Sequence, residues 1–215
     1  MYCKQEREVA YAQIIRQVFG NDLSKRKIIE IGAGTGGNLL FFQYLGFQWG
    51  NIYANELLEE RYNLLKMRIL PQPSYTIATC VEINDLQELA AEVCIHGDAL
   101  QLPYKEKFDV ALQSTVFTSI LDENFRKALA EKMWDMLKPG GIILSYDFTY
   151  NNPNNKDVRK LTKKEIKNLF PNHRGIQFKS VTLAPPIARR VGKFYNLINF
   201  LFPMLRTHLI AAIKK

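Results

Sequence analysis

Short apolar runs alternate with amphipathic stretches along this chain, and the alternation begins at residue 27. Lys27–Ile31 is the first run, Ile52–Asn55 the second, Val93–His96 the third, Phe108–Gln113 the fourth and Ile142–Tyr146 the fifth. Apolar runs of this length, bounded by turn residues, read as buried strands. The stretches between them predict helices over Gly37–Leu45, Leu57–Leu70 and Asn124–Leu137, with Gly46, Pro71 and Pro73 as stops. Residues 6–19 predict an opening helix, with Val9, Ile14, Val18 and Phe19 as a partial apolar stripe.

The pattern continues to the end of the chain. Lys138-Pro139-Gly140-Gly141 predicts a sharp turn and 151–155 a polar loop. Thr162–Phe170 predicts a short helix, capped by Thr162 with Glu165 three residues later. Gln177–Leu183 reads as a sixth strand, Pro185–Leu205 as an aromatic-rich helical stretch broken at Pro203, and His208–Ile213 as the last strand. Residues 71–92 are an insertion or elaborated loop, with Ser74–Val81 as a strand and Asp85–Glu92 as a short helix. Alternating strands and helices predict an α/β fold: a mostly parallel sheet of about seven strands with helices on both faces.

Length and composition bound the rest. The 215 residues predict one domain with a full core. A net charge of +8 fits an anionic partner, and equally a mildly basic protein with a solvated charged surface. Cys3, Cys80 and Cys94 have no metal spacing, and an odd scattered set suits a reducing compartment. The polar, charged N-terminus has no apolar signal core, and no segment approaches the ~20 apolar residues of a membrane span. The expectation is a cytoplasmic protein without a metal.

The chemistry concentrates at Glu30-Ile31-Gly32-Ala33-Gly34-Thr35-Gly36-Gly37. A strand that stops at a glycine turn and opens a helix brings bare backbone close to a ligand. Gly32, Gly34 and Gly37 satisfy the dinucleotide spacing, and Glu56 follows at about the 20-residue separation of an acid on a ribose. A nicotinamide-dependent oxidoreductase is therefore one reading, and a tight turn without a ligand another. Glu30 favours a third. A carboxylate there repels a pyrophosphate and suits an ammonium group. Asp98, ending the third strand in His96-Gly97-Asp98-Ala99, is placed either to accept from an adenine amino group or to cap a turn.

With these motifs, the chain resembles the class I S-adenosylmethionine-dependent methyltransferases. The Glu30–Gly36 turn, Glu56, Gly97-Asp98-Ala99 with Leu102-Pro103, Phe108-Asp109-Val110 and Leu137–Gly141 resemble five successive motifs of that family over residues 27–148. The resemblance implies a Rossmann-like fold whose last two strands are antiparallel. It implies a helical cap at 1–26, a cofactor core at 27–148 and substrate-side elements at 149–215. It also implies that Glu30, Gly32 and Gly34 line the methionine part of the cofactor, that Glu56 takes the ribose hydroxyls and that Ala33, Asn38 and Gly97 are further cofactor-binding residues. Leu57, Asp98 and Ala99 would meet the adenine, and Gln113 and Thr115 would lie near the sulfonium and the substrate. The product would be S-adenosylhomocysteine. Tyr146-Asp147-Phe148, the Asn151–Asn155 loop, Leu183–Arg190 and Leu205–His208 resemble a bacterial subgroup associated with surface polysaccharide or other glycan biosynthesis.

The expected activity is methyl transfer to an oxygen of a small molecule or sugar, with a phosphorylated or nucleotide-linked acceptor in view. Aligning nucleophile, methyl and sulfur contributes on the order of 7–11 kcal/mol, and a hydroxyl acceptor also needs a base. Asp147, after the fifth strand, is the first candidate base, or else a loop cap. His208 is the second, or else an edge residue. Tyr11, Tyr146, Arg189 and Arg190 are the candidate substrate residues. Arg189, Arg190 and Lys193, with nearby aromatics, read as a phosphate-binding lid, a patch on an anionic membrane, or a solvated face. The rival functions are a nucleic-acid or protein methyltransferase, and a catalytically silent cofactor-binding subunit. Against the nucleic-acid reading, Gln113–Phe117 stands where an Asn-Pro-Pro-Tyr-type motif would be, and no separate basic domain is visible.

Overall fold

The computed structural model describes residues 2–69, 92–151 and 155–215. The strand expected at 74–81, most of the helix expected at 85–92, Cys80 and residues 152–154 of the polar loop lie outside them. Among the described residues, seven strands form one sheet in the order β3-β2-β1-β4-β5-β7-β6. They are β1 Ile28–Ile31, β2 Ile52–Glu56, β3 Cys94–His96, β4 Phe108–Ser114, β5 Leu137–Phe148, β6 Gly175–Leu183 and β7 Arg206–Lys214. The first five run parallel, and β7 inserts antiparallel between β5 and β6, as the resemblance implied.

β1 and β2 are buried at every position, which is why they read as continuous apolar runs. Strand order reverses between β1 and β4. A crevice opens at such a reversal, beyond the carboxyl ends of the strands. Three helices flank this end: α1 Tyr2–Phe19, α2 Leu39–Leu45 and α3 Glu59–Ile69.

Three local expectations are corrected. The α1 stripe is Ala10, Tyr11, Ile14 and Ile15, while Val9 and Val18 face solvent. Lys138–Gly141 is an irregularity inside β5 rather than a turn before it. The register jumps there from Phe108 opposite Leu137 to Val110 opposite Ile142. Asp109 fills the jump: its buried carboxylate accepts from Lys138 Nζ at 2.8 Å, Arg26 Nη1 at 2.9 Å and the Lys27 amide at 2.9 Å. Residues 185–205 break at Gly192 as well as Pro203, leaving helices Pro185–Val191 and Tyr195–Leu201. The Thr162–Glu165 capping box forms as expected.

Candidate functional site

β1 ends at Glu30-Ile31, and Gly32 and Gly34 both take positive φ, +65° and +59°. The turn needs glycine at Gly32 for a second reason. A Cβ there would lie 2.5 Å from Val116 Cγ2. The turn runs on to Asn38, so α2 begins at Leu39, two residues later than expected.

A cleft of about 290 Å³ opens beside this turn, lined by Lys4, Arg7, Glu30, Gly32, Ala33, Thr35, Gly37, Asn38 and Ser114. Two larger hollows, about 360 and 350 Å³, lie elsewhere and do not touch the glycine turn. Chemistry rather than volume marks the smaller one. Glu30 is 2% exposed. Its Oε1 accepts from Asn38 Nδ2 at 2.6 Å, and its Oε2 is buried without a partner among the described residues. Burial pushes the Glu30 carboxyl up to about 7, against the opposing pull of Asn38 and Arg7. Arg7 Nη2 donates to Asn38 Oδ1 at 2.8 Å, and its guanidinium lies 5.0 Å from the Tyr146 ring centre. Among the described residues, Arg7 Nε and the Tyr11 hydroxyl are also buried without partners. Burial raises the Tyr11 phenol well above its usual value.

Two further acids end β2 and β3. Glu56 accepts from the Gly34 amide at 2.7 Å and the Leu58 amide at 3.0 Å, which ties the two turns together. Asn55 Nδ2 donates to the Gly97 carbonyl at 2.9 Å and draws the β3 end against β2. Half-buried Asp98 accepts from the Leu100 amide at 2.9 Å through Oδ1, so it does cap a turn. Ala99 is buried behind it, and Leu57 is 60% exposed on the neighbouring turn. His96 Nε2 meets the Leu57 carbonyl at 3.1 Å and holds that turn.

The register separates the remaining candidates. Glu30 pairs with Leu112, and Ser114 with Tyr146, so Glu30, Ser114 and Tyr146 share one face of the sheet. Gln113, Ser145 and Asp147 point to the other. Asp147, expected as the base, is 1% exposed. Its carboxylate accepts from Gln113 Nε2, from Ser145 Oγ at 2.7 Å and from the Thr118 amide at 3.2 Å. Gln113, expected near the sulfonium, accepts from the Val116 amide at 2.8 Å through Oε1. This network fixes the Val116–Ser119 turn from behind. It corrects both expectations: strand alternation carries these side chains away from the cleft. Thr115 directly follows β4, held at φ +62° with its hydroxyl donating to the Ser114 carbonyl.

His208 remains near the cleft face. It stacks on Tyr146 at 5.0 Å, and burial with nearby Arg7 pushes its imidazole down to about 4. Arg189 and Arg190 are exposed on the Pro185–Val191 helix and are not among the residues that line the cleft. Arg7, Lys4, Ser114 and Asn55 were missed. None of them stood out in the sequence, where Arg7 and Lys4 read as surface charges of the opening helix. Among the described residues no group of three or more His, Cys, Asp or Glu is placed to hold a metal ion, and no helix is long and apolar enough to cross a membrane.

Comparison with solved structures places this fold among known ones. A SAM-dependent methyltransferase from Archaeoglobus fulgidus matches with TM-score 0.60 at 12% identity, covering 100% of this chain and 98% of that one. The 1,6-didemethyltoxoflavin-N1-methyltransferase of Burkholderia thailandensis, bound to S-adenosylhomocysteine, matches with TM-score 0.60 at 15% identity over 97% of this chain and 77% of that one. Phosphoethanolamine N-methyltransferase 2 of Haemonchus contortus, bound to S-adenosyl-L-methionine, gives TM-score 0.60 at 13% identity; the matched part is 97% of this chain and 52% of that one. A search of the curated proteins finds no match. The family model of the methyltransferase domain matches residues 3–184. The sheet order, the glycine turn and that match give one conclusion: the chain belongs to the methyltransferase-domain family.

Proposed function

We propose that this protein moves a methyl group from S-adenosylmethionine to an oxygen of a small molecule or sugar-containing acceptor. The observation that carries the reading is the free Oε2 of Glu30, a buried carboxylate oxygen beside a glycine turn and a cleft. A buried charge needs a partner of opposite sign, and the ammonium of an adenosyl amino acid is one. Arg7 and Lys4, on the α1 side of the same cleft, suit the amino acid's carboxylate. Gly32, Ala33, Gly34 and Asn38 complete that end.

Glu56 is assigned to the ribose. Each of its oxygens accepts one amide and keeps a lone pair for a hydroxyl. Asp98 is assigned to the adenine amino group through Oδ2, with Leu57, Gly97 and Ala99 beside the ring. The cofactor is S-adenosylmethionine, and when bound its sulfonium supplies an electrophilic methyl group for in-line displacement. The chain's own part is alignment. Thr115 and Tyr146 bound the acceptor side. His208, stacked on Tyr146, is the candidate base by position, although burial and Arg7 lower its imidazole to about 4 and weaken it as a proton acceptor. Asp147 instead holds the loop that carries Thr115.

Thermal-shift measurements with S-adenosylhomocysteine, NAD and NADP test the cofactor. At 100 times its dissociation constant a ligand adds about 2.7 kcal/mol, so the thioether should raise the melting temperature and the dinucleotides should not. A shift with NAD alone contradicts the reading. A labelled-methyl assay against nucleotide sugars then tests the acceptor.

A further inference from the structure

The positive charge of this chain is not spread evenly. Glu165 is the last acidic residue, and the 50 residues after it hold nine lysines and arginines. The whole chain carries only +8, so everything before that point is close to neutral.

Within this basic stretch, the short helix Tyr195–Leu201 inverts the usual arrangement. Its buried residues are Tyr195 and Asn199; the Tyr195 ring stacks on Tyr2 at 5.6 Å, and their polar atoms are held by hydrogen bonds. The Tyr195 hydroxyl donates to Glu6 Oε2 at 2.7 Å, and Asn199 Nδ2 donates to Glu6 Oε1 at 2.8 Å. Arg206 Nε donates to Asn199 Oδ1 at 2.9 Å. The outward side is mostly apolar, with Asn196 as its exposed polar residue. Phe200 is 78% exposed and Met204 70%, with Phe194, Leu197, Leu201 and Phe202 exposed alongside. A helix on a globular protein turns its apolar stripe inward. One exposed apolar side chain needs no explanation, but six within residues 194–204 form a patch.

Its border is cationic. Arg189, Arg190 and Lys193 are exposed just before it, and no acid stands among residues 184–206. A second copy of this chain on the patch would set these cations against their own duplicates. A nucleic acid would match the charge but leave Leu197, Leu201 and Met204 in water. An anionic bilayer matches both features: apolar side chains enter the acyl boundary while cations meet the headgroups. We infer that residues 189–204 dock the protein on an anionic lipid surface. The patch is tied through Glu6 to α1, where the next residue, Arg7, lines the cleft. Docking does not depend on methyl transfer.

The test is co-sedimentation of the full chain with vesicles of phosphatidylcholine alone and of phosphatidylcholine with about one-third phosphatidylglycerol. Binding should be at least about tenfold stronger on the anionic vesicles and should weaken as salt rises from about 0.1 M to about 0.5 M. The Phe200→Ser, Met204→Ser double variant should lose about tenfold of that binding at an unchanged melting temperature, because both side chains are exposed. Wild-type protein left in the supernatant with both vesicles overturns the inference. So does a double variant that sediments like wild type, or a wild-type dimer that the double variant dissociates without any vesicle binding.

Discussion

Asn38 Nδ2 donates to Glu30 Oε1 at 2.6 Å, and that bond divides the carboxylate into a satisfied oxygen and a free one. It fixes the rotamer of Glu30 and aims Oε2. The arrangement costs the unliganded protein stability, because burial raises the carboxyl to about 7 from 4.5. Folding therefore favours the protonated acid. That contribution is fully present below about pH 4.5 and is lost as pH rises through 7. A shift of this size corresponds to about 3 kcal/mol. Glu30→Gln should accordingly stabilise the unliganded protein at pH 8, by up to about that amount, in urea denaturation.

His208 has the opposite sign. Its imidazole is lowered to about 4 from 6.5, so the unfolded chain binds a proton that the folded one refuses. Stability falls as pH drops from 6.5 towards 4. In wild type the Glu30 contribution offsets this loss. The Glu30→Gln variant should expose it as a steeper decline below pH 6.5, and adding His208→Phe should flatten it again. Melting temperatures across pH 4–8 measure both slopes.

Asp147→Asn should weaken the fold rather than remove a base. Both carboxylate oxygens accept from donors, and an amide nitrogen would face one of them. Loss of such a buried bond costs about 1–3 kcal/mol. The melting temperature should fall while the pH profile of turnover keeps its shape. A vanished acid limb with full stability would restore Asp147 as the base.

Glu56→Ala should weaken S-adenosylhomocysteine binding by about 10- to 100-fold and also lower stability, since the Gly34 and Leu58 amides lose their acceptor. Glu56→Gln, which keeps an acceptor, should recover more of the stability than of the binding. Calorimetry on both variants separates the two effects.

Gly32→Ala should cost about 1–3 kcal/mol. It combines a φ of +65° with a Cβ 2.5 Å from Val116. Because Val116 follows Thr115, ligand binding should fall with it.

The sequence made the first five strands legible because buried parallel strands read as plain apolar runs, and the acids at their ends stand out against them. The boundaries at 137–141 were not legible. Proline and glycines signal a turn, and only the fold reveals that Asp109 binds Lys138 and keeps those residues in the sheet. Residues carried by a strand-to-turn motif could be placed at the carboxyl ends of the strands in advance. Gln113 and Asp147 could be named but not oriented, because the face they occupy depends on pairing register. Arg7 was hidden because an arginine near the start of an amphipathic helix looks like a surface charge until α1 packs against Tyr146.

The most direct measurement is isothermal titration of S-adenosylhomocysteine into wild type and Glu30→Gln at pH 6 and pH 8. If the free Glu30 oxygen grips the ammonium, wild-type affinity rises about tenfold as a carboxyl titrating near 7 ionises, and the variant binds weakly at both values. Equal affinities for the two proteins, with no dependence on pH, would contradict it.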